Sequence, residues 1–193
     1  MVGIRTIEEA SYEVLREDGA ITLRHYDKLV SVETYVDAGY AEAGNIAFKR
    51  LFAYISGENR LRTKIAMTAP VIADEMCTIG GSENLAMTMP VLSEQQGQRW
   101  RYAFVLPASY SIDTAPIPTN PEVSVSVVPR KRVAVIRYSG SWSDHAMREK
   151  SKSLGNWIAA NNLEPLAAAR SARYDPPWTI SFLRRNEVMI DVK

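Results

Sequence analysis

The sequence predicts an α+β protein, an antiparallel sheet curved into a distorted barrel of about eight strands with two main helices packed on it. Three observations carry this. Short segments rich in β-branched and aromatic residues dominate the chain, only two stretches repeat with a helical period, and the order strand–strand–helix occurs twice.

Tyr12 to Arg16 reads as a first short strand. Residues 20–27 and 29–36 follow as strands broken at Asp27-Lys28, which predicts a hairpin between them. Strand alternation places His25 on the face of Ile21 and Leu23, and Arg24 and Tyr26 on the other. Tyr40 to Ser56 carries an apolar stripe of Gly44, Ala47, Phe48, Leu51, Phe52 and Ile55 at helical spacing, with Gly57 as the stop signal. Residues 64–72 and 85–92 read as strands, each with a proline that confines it to an edge or a strand end. They share an echo, Met67-Thr68-Ala69-Pro70-Val71 and Met87-Thr88-Met89-Pro90-Val91. Arg99 to Leu106 alternates Trp100, Tyr102, Phe104 and Leu106 on one face. Four prolines make residues 107–121 a loop. Val123–Val128 and Arg132–Tyr138 read as strands paired through Pro129-Arg130-Lys131. Ser143 caps a helix running to about Asn161, with Ala146, Leu154, Trp157 and Ile158 facing inward. Glu187 to Val192 is the last strand. Leu29-Val30-Ser31-Val32-Glu33 and Arg132-Val133-Ala134-Val135-Ile136 match in pattern and place. They suggest one domain over residues 1–193 with internal repeats at approximately 12–107 and 122–193.

Composition excludes several functions. The chain has 193 residues, 46% hydrophobic and 23% charged, with a formal charge of +1. Acids and bases are interspersed, which argues against nucleic acid as the main partner. Cys77 is the only cysteine, so no intramolecular disulfide can form and a reducing compartment is expected. No secretory pattern opens the chain and no apolar run reaches the roughly 18–20 residues of a membrane span. A cytoplasmic protein without a membrane span is the expectation. The sequence holds no zinc-spaced Cys/His cluster, glycine-rich phosphate loop or serine nucleophile elbow. No catalytic set is recognisable, so binding is expected rather than catalysis.

Several stretches resemble one family in the right order: Tyr12-Glu13-Val14, Leu23-Arg24-His25-Tyr26, the segment Lys64 to Val71, Phe104-Val105-Leu106-Pro107, Tyr174-Asp175-Pro176-Pro177-Trp178-Thr179 and Arg184-Arg185-Asn186-Glu187-Val188. Together they resemble the SOUL haem-binding-protein family over roughly residues 7–193. The resemblance implies a pseudo-twofold barrel of two repeats, similar to effector-binding domains of drug-sensing regulators. It also implies haem or a related tetrapyrrole as ligand, on an apolar surface beside the first helix, for transport, buffering or sensing.

The resemblance makes His25 the candidate iron ligand, since imidazole is the usual axial donor. A satisfied strand histidine is the alternative. Phe48, Leu51 and Phe52 would form the apolar wall, with Met67 and Trp178 beside it, although each could equally be packing. The resemblance also implies basic partners for the haem propionates, since some family members carry basic residues on the first helix. Asn45 and Ala53 stand at those positions here, leaving Lys64, Lys49 or Arg50 as substitutes. No metal other than haem iron is expected. Two other readings stay open: a small-molecule effector-binding module without iron ligation, and a hydrolase using a barrel carboxylate such as Glu187 with a nearby tyrosine.

Overall fold

A computed structural model describes residues 8–61, 64–66, 68, 71–76, 99–141, 143–175 and 179–193. Among these, the elements are β1 (Tyr12–Asp18), β2 (Ile21–Tyr26), β3 (Leu29–Asp37), α1 (Tyr40–Ile55), β4 (Val71–Met76), β5 (Arg99–Val105), β6 (Val123–Val128), β7 (Lys131–Tyr138), α2 (Asp144–Ala160), β8 (Arg170–Arg173) and β9 (Asn186–Val192), with a 3₁₀ turn at Ser181–Leu183. The nine strands form one curled sheet in the order β1-β2-β7-β9-β8-β4-β5-β3-β6. The pairings are antiparallel. Read outward from its centre, the order matches β4 with β8, β5 with β9, β3 with β7 and β6 with β2, while β1 is an extra edge. The expected strand at 85–92 lies outside the described residues.

Two expected hairpins are replaced by crossovers. β2 pairs with β1 and β7, whereas β3 pairs with β5 and β6. β6 and β7 likewise do not pair with each other; β7 joins β2 and β9. The cause is turn chemistry. A two-residue hairpin loop needs a residue that tolerates positive φ. Asp27-Lys28 and Pro129-Arg130 offer no glycine or asparagine, but Gly19, at φ +59°, turns β1 into β2.

Both helices lie on one face of the sheet. α1 covers β3 and β5 through a core containing Val30, Val32, Ala47, Leu51, Tyr54 and Phe104. α2 covers β7 and β9 through Ala134, Ile136, Leu154, Ile158 and Val188. The concave face holds a third cluster, including Tyr26, Val133, Val135, Ala172 and Met189. The two matching pentapeptides are therefore one residue out of step. Val30 and Val32 face α1, but Val133 and Val135 face the concave interior.

Each helix ends in the same motif. Gly57 N–H donates to Tyr54 O and Glu58 N–H to Ala53 O; Asn162 N–H donates to Ala159 O and Leu163 N–H to Ile158 O. These paired bonds satisfy the last helical carbonyls when the following residue takes positive φ. Gly57 does so at +112° and Asn162 at +55°. At its start, α2 is capped by Ser143, whose side chain accepts from Ala146 N–H at 3.2 Å.

Three local readings change. The buried side of α1 centres on Ala43, Ala47, Leu51 and Tyr54, so Phe48 and Phe52 sit on an exposed shoulder rather than in the stripe's core. Of the strand expected at 64–72, the described residues show strand from Val71, while Ile65 N–H bonds the helix carbonyl of Ile55 instead of a ladder. β8 was not foreseen: Arg-Ser-Ala-Arg has little strand propensity and is held by β4 and β9 on either side.

Candidate functional site

The described part of Lys64–Val71 is fastened to the elements beside α1. Ile65 N–H donates to Ile55 O at 2.8 Å, tying the segment to the helix C-terminus. The Thr68 hydroxyl donates to Val105 O on β5. Ile65 and Thr68 are buried, while Lys64 and Ala66 are exposed. The threonine therefore serves as a side-chain clasp on the backbone, which explains a polar residue within an apolar stretch.

Phe48 and Phe52 form an aromatic ledge on α1. Their rings stack with centroids 5.6 Å apart and 15° between planes. Phe48 also meets the edge of buried Phe104 at 5.8 Å and 63°. Phe48 is 42% and Phe52 48% exposed, so the helix offers a flat apolar surface to solvent. Helical spacing makes such i, i+4 residues neighbours. Leu51 is fully buried behind them.

The basic residues near α1 divide in two. Arg50 is occupied: its guanidinium donates to Thr34 Oγ1 at 3.2 Å and Tyr35 O at 3.1 Å, and lies 3.6 Å from Glu122. Lys49 and Lys64 are exposed. Lys49 is next to Phe48 in the chain, and Lys64 sits where the segment meets the C-terminal end of α1.

His25 is not part of this group. It lies half-buried on β2 between Glu13 of β1 and Arg132 of β7. Its strand neighbour Leu23 packs in the α2 cluster, and no β2 residue belongs to the α1 core. His145 is exposed in the first turn of α2. Met67 and Trp178 lie outside the described residues. Among the described residues, no group of three His, Cys, Asp or Glu side chains could hold a metal ion, and no helix is long and apolar enough to cross a membrane.

A second polar constellation occupies the concave interior. Glu187 is fully buried and accepts from Arg24 at 2.8 and 3.0 Å, Arg185 at 2.9 and 3.1 Å, and the Tyr174 hydroxyl at 2.7 Å. Arg185 also pairs with Glu9 at 2.9 Å. The guanidinium groups lie over aromatic rings, Arg24 on Tyr12 at 4.3 Å and Arg185 on Tyr174 at 3.9 Å. Burial opposes the charge of Glu187, but the bonds and charge of Arg24, the charge of Arg185 and the Tyr174 hydroxyl outweigh it and hold the carboxyl below its usual range. Burial and the charge of Glu187 push the Tyr174 phenol well up. A carboxylate with both oxygens saturated and its proton affinity lowered is poorly suited to act as a general base. The Arg-Asn-Glu run and Tyr174 were visible in the sequence; Arg24 as the main partner was not. Its only signal was alternation, which put Arg24 on the face opposite Leu23.

Compared with models of known families, residues 7–191 match the one described as "SOUL heme-binding protein". No curated protein matches the chain significantly. Among solved structures, it is similar to the EcmrR C-terminal domain, with TM-score 0.62 and 10% identity over 94% of this chain and 98% of that one. It is also similar to a hydrolase from Listeria innocua, with TM-score 0.60 and 10% identity over 93% of this chain and 94% of that one. An EcmrR–DNA complex shares the fold, with TM-score 0.62 and 11% identity; the match covers 90% of this chain but 57% of that one. At these identities the likeness extends to fold.

Proposed function

Because this chain belongs to the SOUL haem-binding protein family, we propose that it binds haem or a related tetrapyrrole on the aromatic ledge of α1, gripping the macrocycle by its π-face. The observation that carries this reading is the stacked, half-exposed pair Phe48 and Phe52 backed by Phe104. Aromatic rings favour offset or edge contact with other π-systems, and burying apolar area adds about 25 cal/mol per Å². Lys49 and Lys64 are the cations for the propionates; Arg50 is already engaged by Thr34, Tyr35 and Glu122.

The residues fit the ring better than the metal. Among the described residues, the ledge brings no His, Cys or Met to the macrocycle, and His25 stands on the β2 face shared with Leu23. A bound haem would supply a redox-active iron; the chain supplies orientation and shielding of one ring face. This suits carrying or buffering a tetrapyrrole.

Titration with hemin and with iron-free protoporphyrin IX, read by absorbance and tryptophan quenching, tests the proposal. Both are expected to bind with similar affinity. Phe52→Ala should weaken both about tenfold, equivalent to ~1.4 kcal/mol, and His25→Ala should change neither. Binding of hemin alone, abolished by His25→Ala, would replace stacking by axial ligation. Failure of both macrocycles to bind at micromolar concentration would remove the tetrapyrrole reading.

A further inference from the structure

A cavity of about 480 Å³ opens between the end of β7, the start of β2 and the 3₁₀ turn before β9. This is within the size range of small-molecule sites. It is distinct from the ledge, since α1 packs on β3 and β5.

The cavity lining combines cationic and apolar side chains. Arg137, Arg184 and Arg185 line it, and no carboxylate does among the described residues. Glu9 and Glu187 pair with Arg24 and Arg185, although Glu187 is also the cross-strand neighbour of Arg137. The charge of Arg137 is additional to those pairs. Its side chain is exposed and makes no ion pair among the described residues, while its backbone N–H is fixed to Ala20 O at 2.9 Å. Arg184 is steadied by its Nε–H, which donates to Thr179 O at 2.7 Å.

The 3₁₀ turn runs directly into Arg184 and Arg185, and none of its own residues is buried. Phe182 is 70% and Leu183 59% exposed, and Ile180 beside them 58%. The turn is held in place by its backbone, with Gly140 N–H donating to Ser181 O at 3.0 Å and Arg184 N–H to the same oxygen at 3.2 Å. Thus a supported backbone presents exposed apolar side chains in the same cavity as the Arg137 guanidinium, a planar fork suited to anion recognition.

We propose that this cavity is a binding site for an amphipathic anion, a carboxylate or phosphate head group bearing an apolar tail. Arg137, with Arg184, receives the head group. Phe182 and Leu183 cover the tail.

The test is calorimetric titration of the full chain with octyl phosphate, using octyltrimethylammonium as the cationic control. Octyl phosphate should bind and the control should not. Arg137→Glu and Phe182→Ser, both at exposed positions and checked for folding by circular dichroism, should each weaken octyl phosphate about tenfold or more. Equal binding of the two amphiphiles, or unchanged affinity in Arg137→Glu, would overturn the proposal. So would one-for-one displacement of octyl phosphate by hemin, which would merge this site with the tetrapyrrole site. Co-sedimentation with vesicles of phosphatidylserine in phosphatidylcholine separates the two sources. Loss of sedimentation in Phe182→Ser identifies a head group presented by a bilayer. Octyl phosphate binding without sedimentation identifies a free amphiphile.

Discussion

Glu187 gathers Arg24 from the far end of the chain, with its sequence neighbour Arg185 also on its oxygens and Tyr174 completing the shell. Removing one partner of a buried ionic set leaves uncompensated charge, at a cost of about 3–5 kcal/mol. Glu187→Ala should therefore destabilise the fold by that order in urea denaturation, without altering tetrapyrrole affinity if the ledge is the site. The pH response has a definite sign. Arg24, Arg185 and Tyr174 hold Glu187 below its usual range against burial, and Arg170 and Lys131 do the same for Asp191. Groups depressed on folding stabilise above their unfolded pKa of about 4, and that stability is lost as pH falls through the lower folded values. Urea midpoints should thus be insensitive to Glu187 and Asp191 between neutrality and about pH 5 and fall below about pH 4. A flat midpoint down to pH 2 would contradict the assignment. The sequence displayed Glu187 with Arg185, because two residues of strand spacing put them on one face. It could not display Arg24, whose pairing depends on β2 reaching the opposite half of the sheet.

The helices were more legible than the strands because their signals are local. Apolar spacing located α1, Ser143 marked the start of α2, and positive-φ residues close both. Two substitutions test this. Ser143→Ala should cost about 1 kcal/mol through loss of the Ala146 N–H bond. Asn162→Val should cost about 1–3 kcal/mol, because a β-branched residue resists φ of +55°. Chemical denaturation measures both. Strand pairing failed to be legible for the converse reason. Alternation reveals which residues share a face but not which strand lies alongside. At Asp27-Lys28 and Pro129-Arg130 a short connection resembled a hairpin while the chain crossed to another neighbour. The ledge shows the same limit. Helical spacing included Phe48 and Phe52 in one stripe with Leu51, yet Leu51 and Tyr54 are buried in the core under α1 while the phenylalanines stay half exposed at its edge.

Across the molecule, the two-helix, curled-sheet design was readable from the number and order of periodic segments. Its strand order was not, since among the described residues β4 and β8 meet at the centre through the three residue pairs Val71–Arg173, Ile72–Ala172 and Ala73–Ser171. Protection should follow that order. Hydrogen exchange is expected to be slowest in β7 and β9, which are paired on both sides and covered by α2, and fastest in the edge strands β1 and β6. Rapid exchange in β9 would contradict this arrangement. The crossovers also bear on how the chain assembles. Ile21 waits for Ile136, and Leu29 for Val128, so each half borrows its outer strand from the other. Neither half can complete its sheet while the other is unmade. Loop closure precedes the contacts that reward it, so early segments remain open and exposed until late ones arrive. During synthesis, β2 leaves the ribosome beside β1 but long before β7 exists. The chain must fold as an interlocked whole, and a fragment ending before β6 would leave β2 with β1 alone beside it and no α2 over Leu23.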